Sequence, residues 1–307
     1  MTDILLSTYN GARFVREFLA SLGQQTCHDF RLLVRDDGSE DATLDIVREA
    51  VADYGISQAV FLESSGQHLG VVQSYGELLR QCSGQDVMFA DQDDIWHDNK
   101  VAEMQRLMRE AETRYGNNTP LLLHSDLRVC SEDGSLMADS FLDWQRFNRH
   151  AESLTALTVQ NNVTGCAMMI NHAMLERCRL PFPLEAICHD WYLALVASAL
   201  GQVIFTDQAL VDYRVHSGNC IGARRYGPGN WLRLGHTEIK RRLNLTQRQA
   251  GAFWRQYRDL LSSTDQETVS AWAGIGDLSK LKRLARCLKF GFRKNTLARN
   301  LGLWWAI

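Results

Sequence analysis

The first hundred residues alternate between short apolar runs and segments with helical spacing, and this alternation restricts the possible folds more than any other feature. The segment ARFVREFLASLGQQ, for example, places Phe14, Phe18, Leu19 and Leu22 on one helical face. Strands that alternate with helices form a parallel sheet covered by helices on both faces. We therefore predict an α/β fold with a mostly parallel sheet. The predicted strands lie in DILLSTYN, FRLLVRDDGS, QAVFLES and QDVMFADQDD.

Polar clusters stand at the ends of three of these strands. Residues 7–10 (STYN) follow the first, Asp36-Asp37 follow the second, and residues 91–94 (DQDD) follow the fourth. In an open α/β sheet, ligands bind beyond the carboxyl ends of the strands. We therefore expect the three clusters to line one crevice.

The third cluster is electrostatically costly, because neighbouring carboxylates raise one another's pKa unless a positive charge lies among them. One explanation is a helix N-terminus, where the macrodipole stabilises acidic residues. It accounts for Asp98 before NKVAEMQRLMREAE, but not for Asp91, Asp93 and Asp94 together.

Two further explanations involve chemistry. A haloacid-dehalogenase-type phosphatase places its nucleophile in a DxDx(T/V) motif, but Ile95 and Trp96 stand where Thr or Val is required. Alternatively, Asp91-Gln92-Asp93 is a DxD motif that holds Mg²⁺ or Mn²⁺ against a diphosphate. These hard ions accept carboxylate, phosphate and water oxygens, so few protein ligands suffice. The metal would then supply the positive charge.

Composition excludes several classes of protein. The chain of 307 residues is 45% hydrophobic, enough for one large or two smaller domains. Its eight cysteines are scattered without CxxC pairs, so neither a zinc site nor a disulfide framework is indicated. We find no signal peptide and no apolar run of eighteen residues, and we expect a cytoplasmic protein.

Charge is divided unevenly along the chain. Residues 221–307 hold 17 Lys and Arg against 5 Asp and Glu, whereas residues 1–220 hold 16 against 31. The segment 278–307 carries eight basic and no acidic residues, with apolar side chains at helical spacing and Trp304-Trp305 near its end. A basic amphipathic helix with Trp is typical of an anionic membrane surface. Packing against the rest of the chain is an alternative. Nucleic-acid binding has little support, because the other region is acidic.

Six segments together resemble the inverting GT-A glycosyltransferases of family two, and within them the rhamnosyltransferase-like branch of bacterial surface polysaccharide synthesis. The resemblance covers roughly residues 3–225, and one departure is Gln73, where many relatives carry a basic residue. The six segments are LLSTYNGARFVREFLASLGQQT, VRDDGSEDAT, FADQDDIWHDNKV, NNVTGC, HDWYLALVASALG and YRVHSGNCIGA.

The resemblance implies roles for five residues on the donor side. Ser7, Tyr9 and Asp37 would hold the nucleotide base, with Tyr9 stacking and Asp37 accepting a base N–H. Asp91 would contact the ribose, and Asp94 would face the sugar or the acceptor. For Asp37, a turn with a helix cap in Asp-Asp-Gly-Ser is the alternative.

The resemblance also implies a metal and a base. Asp93 would bind Mg²⁺ or Mn²⁺, and His216 would be a further metal or phosphate ligand unless it is a structural loop histidine. Asp190 would be the general base that removes the acceptor proton, and residues 162–165 would line the donor-sugar or acceptor pocket. A helix N-cap is the alternative for Asp190.

The implied protein has a GT-A catalytic domain over residues 1–225 and a basic helical region over 226–307. It would move a sugar, with L-rhamnose from dTDP-L-rhamnose as the first choice, to a lipid-linked glycan in O-antigen or similar polysaccharide synthesis. It would work at the inner face of the cell membrane. Another nucleotide sugar, such as a UDP-hexose, and a non-catalytic glycan-binding or nucleotide-sugar-binding module remain alternatives.

Overall fold

Nine strands form one sheet in the computed structural model, which describes residues 1–63, 66–216, 218 and 230–307, with only the backbone over 230–234. Their order across the sheet is β3-β2-β1-β4-β8-β6-β9-β5, and β7 pairs with β6. The strands are β1 (Thr2–Thr8), β2 (Phe30–Asp36), β3 (Ala59–Phe61), β4 (Asp86–Asp91), β5 (Ile95–Trp96), β6 (Leu121–Ser131), β7 (Leu136–Ala138), β8 (Met168–Asn171) and β9 (Gln202–Val215).

Helices connect these strands and fill the C-terminal region. Short 3-10 turns lie at Gly165–Ala167 and Ile275–Asp277. The helices are α1 (Val15–Gly23), α2 (Thr43–Asp53), α3 (Val71–Arg80), α4 (Lys100–Tyr115), α5 (Phe141–Gln145), α6 (Leu154–Val159), α7 (His172–Arg177), α8 (His189–Leu200), α9 (Asn230–Tyr257, kinked at Gly235), α10 (Ser263–Ala273), α11 (Lys280–Phe290) and α12 (Leu297–Ala306).

Both faces of the sheet are buried, as the apolar runs predict. In β1, Ile4 and Leu6 face a core formed with α1, α2 and α4, whereas Leu5 faces a second core formed with α3 and α8. Successive strand residues point to opposite faces, so a strand buried on both sides must be apolar throughout. The predicted helices on both faces are confirmed.

The sheet is mixed in its strand directions. β1, β2, β3 and β4 run parallel to one another, but β8 lies antiparallel between β4 and β6. The preceding segment, residues 139–167, lacks regular strand–helix alternation, so the sequence pattern does not fix the direction of β8. Residues 119–134 contain one long strand, β6, followed by a turn. Register shifts near Asp126 interrupt the pairing of β6 with β9.

The C-terminal helices pack on the same core as α3 and α8. Phe253, Trp272 and Leu303 belong to the cluster that includes Leu5 and Tyr192. The Gly-rich segment 217–229, which carries the predicted boundary between residues 225 and 226, lies outside the described residues except for Gly218. Among the described helices, none combines the length and apolar character that crossing a bilayer requires.

Candidate active site

The three polar strand ends meet at one edge of the sheet. Parallel pairing places Ser7 opposite Arg35 on β2 and opposite Asp91 on β4. The next residue, Thr8, donates its hydroxyl to the carboxylate of Asp36 at 2.8 Å. The register of β1 with β2 and β4 therefore places the three polar clusters at the same level along the strand direction.

A chain of hydrogen bonds links Ser7 to Asp37. The Oγ atoms of Ser7 and Ser74 are 2.6 Å apart, and Arg35 Nη1 donates to Ser74 Oγ at 2.9 Å and to Asp37 Oδ1 at 2.5 Å. Arg35 and Asp37 are both buried. Sequence reasoning missed Ser74, which stands outside the polar clusters, and Arg35, which lies inside strand β2.

Asp37 organises the loop that precedes α3. Its carboxylate accepts the backbone N–H groups of Leu69 and Gly70 at 2.9 and 2.8 Å, and His68 Nδ1 lies 3.0 Å from it. The turn after β2 is instead stabilised by Asp36, which accepts the N–H groups of the following Gly and Ser. The alternative role as a turn-stabilising residue, which the sequence allowed for Asp37, therefore belongs to Asp36. The role of Asp37 in base binding stays a prediction.

Tyr9 lies just beyond the end of β1. Its side chain is 42% exposed, and its ring centroid is 4.2 Å from that of His68. Gln92, the middle residue of the DxD motif, accepts the N–H of Tyr9 and donates to its carbonyl, at 3.0 and 2.9 Å. A Cβ on Gly11 would lie 2.1 Å from the Gln92 side-chain amide. Glycine at position 11 therefore leaves the space that Gln92 needs for its two hydrogen bonds to Tyr9. Sequence reasoning gave Gln92 no role.

Asp91 is held at the end of β4. Tyr75 donates its hydroxyl to the Ala90 carbonyl at 2.7 Å and approaches Asp91 Oδ1 at 3.2 Å. Burial, followed by the negative charge of Asp93, raises the pKa of Asp91 to about 6. An acidic group so perturbed in a cleft is typical of a functional site.

Asp93 meets His216 across the sheet. β5 pairs antiparallel with β9, with Ile95 opposite Asp212, so the residues before β5 lie beside those at the end of β9. His216 Nε2 is 2.7 Å from Asp93 Oδ2, and its Nδ1 accepts the N–H of Gly218 at 3.1 Å. The structure therefore brings the two predicted metal ligands into contact.

Asp94 points into the protein. It is 1% exposed, and its Oδ1 accepts the N–H of Arg214 at 3.2 Å, whereas its Oδ2 has no hydrogen-bond partner among the described residues. Burial, with the charges of Asp93 and Asp91, raises the pKa of Asp94 well above its ordinary value. The expected contact of Asp94 with the sugar or acceptor stays a prediction.

Lys100 supplies a positive charge beneath the acidic cluster. Its side chain is fully buried, donates to the Cys166 carbonyl and lies 3.5 Å from the ring centroid of Trp96. Burial lowers its pKa to about 7, although the carboxylates of Asp94 and Asp91 oppose that shift. Sequence reasoning missed this lysine. Its unusual position could have identified it, because Lys100 is the first residue of α4 and the helix dipole disfavours a cation there.

Two sets of side chains could hold a cation. Asp91, Asp94 and Cys166 offer ligand atoms within 4.8 Å of one another, but burial raises the pKa of the Cys166 thiol well above its ordinary value, and a thiol suits softer ions than Mg²⁺ or Mn²⁺. Asp93 and His216 are partly exposed, at 16% and 11%, and offer oxygen and nitrogen. The second pair fits a hard ion that must also contact a diphosphate.

Asp190 lies in the first turn of α8. The cap residue of that helix is Cys188, which makes no side-chain cap hydrogen bond, so the N-cap alternative for Asp190 is wrong. The Asp190 carboxylate accepts the N–H groups of Gly165 at 3.0 Å and Trp191 at 2.5 Å, and the side chain of Asn161 at 3.3 Å. Burial is the main cause that raises its pKa to about 7. A carboxylate with this pKa can accept a proton near neutral pH.

Gly165 and His189 fix the position of this carboxylate. A Cβ on Gly165 would lie 2.7 Å from His189 Nε2, so the close approach requires glycine. His189 stacks on Phe89 and Tyr75, and burial lowers its pKa to about 3, which keeps the ring neutral. Of the predicted pocket residues 162–165, Asn162 turns away to donate to the Asn148 carbonyl.

The comparison with protein families gives one match, and curated proteins give several. The model described as "Glycosyl transferase family 2" matches residues 3–177. The chain is similar to "Putative glycosyltransferase EpsH" of Bacillus subtilis, with 25% identity over 71% of this chain and 62% of that protein. It is also similar to an uncharacterized glycosyltransferase of Rickettsia typhi, with 22% identity over 70% of this chain and 64% of that protein. The present chain therefore spans less than two thirds of the length of each of these two relatives.

A third relative and two solved structures extend the comparison. The chain is 24% identical to "dTDP-rhamnosyl transferase RfbG" of Shigella flexneri over 75% of this chain and 78% of that one. S. aureus TarS with UDP-GlcNAc superposes with a TM-score of 0.55 at 16% identity, over 99% of this chain and 90% of TarS. Mannosyltransferase PcManGT of Pyrobaculum calidifontis, with GDP-Man and Mn²⁺, superposes with a TM-score of 0.57 at 16% identity, over 99% of this chain and 84% of PcManGT. The predicted GT-A fold is confirmed.

Proposed function

Because the chain belongs to glycosyl transferase family 2, we propose that it transfers a sugar from a nucleotide-sugar donor to a hydroxyl group of a lipid-linked glycan. One observation supports this most: Asp190 is held by the N–H groups of Gly165 and Trp191, and burial, to which the charge of Asp91 adds, raises the pKa of Asp190 to about 7. Carboxylates with a strongly raised pKa are concentrated at catalytic sites, which favours an enzyme over a non-catalytic binding module.

Asp190 is the general base of the proposed inverting displacement. Its carboxylate takes the proton of the acceptor hydroxyl while the acceptor oxygen bonds to the anomeric carbon and the bond from that carbon to the diphosphate breaks. The N–H groups of Gly165 and Trp191 hold the carboxylate in place before and after the proton arrives. Neutral His189 beneath it adds no positive charge that would weaken the base.

The donor lies along the edge formed by β1, β2 and β4. Ser7, Tyr9 and Asp37 hold the base, and Asp91 contacts the ribose. Asp93 and His216 would hold Mg²⁺ or Mn²⁺, which would supply positive charge to the leaving diphosphate. Gln73, the departure from the family pattern, is used elsewhere, since its amide donates to the Phe182 carbonyl at 3.0 Å.

L-Rhamnose from dTDP-L-rhamnose is the proposed donor. It is supported by the sequence resemblance to the rhamnosyltransferase-like branch and by the name of the Shigella flexneri relative, a dTDP-rhamnosyl transferase. The solved structures carry other donors, UDP-GlcNAc and GDP-Man. A UDP-hexose or another nucleotide sugar is therefore the alternative within the same proposal.

The lipid-linked acceptor is supported by the outer surface of α11 and α12. Leu281, Leu288 and Leu297 are 80%, 79% and 71% exposed, and Trp304 and Trp305 are about two-fifths exposed. Basic residues surround them in a segment that has no acidic residue. Helices of this composition lie in the interface of an anionic bilayer. We propose that this membrane surface, part of region 226–307, holds the protein at the inner face of the cell membrane.

The opposite faces of α11 and α12 pack into the protein. Packing against the rest of the chain, the alternative to membrane binding, therefore applies to these faces of the segment 278–307. Deleting residues 278–307 would therefore open the core, and point changes are needed to test the membrane surface. The buried residues of the segment are Cys287, Phe292, Gly302, Leu303, Ala306 and Ile307.

A screen of nucleotide sugars tests the proposed function. Thermal unfolding is measured with each nucleotide sugar, with Mn²⁺ and with EDTA. We expect one donor to raise the Tm only when Mn²⁺ is present, because the acidic cluster repels a bare diphosphate. If no nucleotide sugar stabilises the protein under either condition, the proposed function is wrong.

A further inference from the structure

Residues 160–165, the base loop, hold the carboxylate of Asp190 in place. Asn161 Nδ2 lies 3.3 Å from Asp190 Oδ1, and the N–H of Gly165 donates to Asp190 Oδ2 at 3.0 Å. The Asn161 side chain also donates to the Val163 carbonyl at 2.8 Å and accepts the Val163 N–H at 3.0 Å, so the base loop is tied to itself. A displacement of this loop would therefore move two of the donors to the Asp190 carboxylate.

One hydrogen bond joins the base loop to the start of α12. The N–H of Asn295 donates to Oε1 of Gln160 at 3.1 Å. Gln160 is followed directly by Asn161, and Asn295 is followed directly by Thr296, the N-cap residue of α12. This bond therefore connects the beginning of α12 with the neighbour of a residue that contacts Asp190.

Arg299, in the first turn of α12, makes a second connection. Its guanidinium donates to the backbone carbonyls of Gln145 and Arg146 at 2.7 and 3.2 Å. Two positions after Arg146, the carbonyl of Asn148 accepts the side-chain amide of Asn162 at 3.2 Å. The second connection therefore also ends in the base loop, two residues after the first.

The same helix carries part of the membrane surface on its outer side. Leu297, Leu301, Trp304 and Trp305 are 71%, 45%, 38% and 42% exposed. Lys280 Nζ, at the start of α11, lies 3.5 Å from the Trp305 carbonyl, so the end of α12 lies beside the start of α11. A bilayer that contacts both helices at once favours the arrangement in which they lie together.

We propose that residues 295–299, the linking segment, couple membrane attachment to the position of the base. Gln160 and Arg299 are the positioning residues through which a bilayer bound to α11 and α12 holds the base loop against Asp190. The inference rests on the proposed function, which assigns Asp190 as the base and these helices to the membrane. One hydrogen bond favours its closed state by about 2–10-fold. The connections therefore open in solution, and a bilayer can shift them toward the closed state.

Hydrogen exchange, followed by mass spectrometry on the full chain, tests the coupling without any transfer reaction. Phosphatidylglycerol vesicles should slow exchange in residues 301–305 by direct contact. They should also slow exchange in the base loop by about 2–10-fold, the value of one hydrogen bond. Gln160→Leu removes the acceptor for Asn295 and should reduce the slowing in the base loop while residues 301–305 stay protected. Gln160→Glu keeps an acceptor oxygen and should restore the response.

The matched control is Gln58→Leu, the same change at an exposed glutamine before β3, and it should respond as the wild type does. Vesicles that protect residues 301–305 but leave the base loop unchanged would overturn the coupling. A full response in Gln160→Leu, or a wild type that does not bind the vesicles, would overturn it as well.

A kinetic measurement separates positioning from a purely structural role. The reaction is hydrolysis, with water as the acceptor, of the nucleotide sugar that the thermal screen selects. Vesicles should raise kcat by about 2–10-fold and leave KM for the donor unchanged, because the donor lies along β1, β2 and β4. Gln160→Leu should lower kcat and reduce the vesicle effect at the same KM, and a change in KM alone would refute the positioning role. A base loop that responds to vesicles in a protein that no nucleotide sugar stabilises would refute the proposed function and leave the coupling standing.

Discussion

Replacing Asp190 with asparagine separates its proposed catalytic role from a structural one. The carboxylate accepts N–H groups from Gly165, Trp191 and Asn161. Asparagine keeps one acceptor oxygen and presents an NH₂ group in place of the other. The variant therefore loses one hydrogen bond, worth about 1–3 kcal/mol, but it also removes a charge that burial disfavours.

The two effects on folding oppose each other, and their balance changes with pH. The folded-state pKa of Asp190 is raised from 3.8 to about 7, so the wild type loses stability as pH rises from about 4 through 7. Asparagine does not titrate and escapes that loss. The Tm of Asp190→Asn relative to wild type should thus be higher at pH 8 than at pH 5.

The effect on chemistry should be much larger. Removal of a general base costs about 10²–10⁴ in rate, which corresponds to about 3–5 kcal/mol of activation free energy. In the wild type, kcat/KM should rise with pH and level off above about 7, since roughly a tenth of Asp190 is ionised at pH 6. In Asp190→Asn the residual rate should lack this rise.

The assay measures initial transfer rates from pH 5 to 9, with donor affinity measured separately by calorimetry. Asp207→Asn, at an exposed carboxylate on β9, is the matched control and should transfer normally. Donor affinity should be unchanged in both variants. Near wild-type transfer by Asp190→Asn, or an unaltered pH profile, would refute the assignment of the base.

Three further predictions concern the metal, the buried lysine and the membrane surface. Asp93→Ala should abolish Mn²⁺-dependent binding of nucleoside diphosphate in calorimetry, whereas Asp98→Ala, at an exposed carboxylate in the same stretch, should not; equal loss in both would contradict a ligand role. Lys100→Met should lower the free energy of unfolding by about 1–3 kcal/mol, because it leaves the buried carbonyl of Cys166 without its hydrogen-bond donor; denaturant titration at pH 6 measures this, and a change under about 0.5 kcal/mol would show that the lysine is not needed. Leu288→Gln should weaken cosedimentation with anionic liposomes, and high salt should weaken it further by screening the basic residues. The control Leu184→Gln, at a leucine that is 92% exposed elsewhere, should bind normally, and equal binding by both variants would exclude this surface.

Local patterns were sufficient for the strand ends and for the helices that cover the sheet. Residue order alone puts Ser7, Asp37 and Asp91 at or just beyond the carboxyl ends of their strands, and parallel pairing then places them on one edge. The direction of β8 was not predictable, because the segment before it has no regular period. Arg35 escaped notice for a similar reason, since a buried cation inside a strand has no local signature.

The sequence by itself determined the α/β class, the edge of the sheet where the site lies, and the excess of positive charge near the C-terminus. Those properties follow from the spacing and order of residues along the chain. Only the tertiary structure decided which groups touch: His216 reaches Asp93 across 123 positions, Lys100 lies beneath the acidic cluster, and Asn295 meets Gln160 across 135. Contacts at such separations depend on strand register and helix packing, which the whole core fixes together and no short segment encodes.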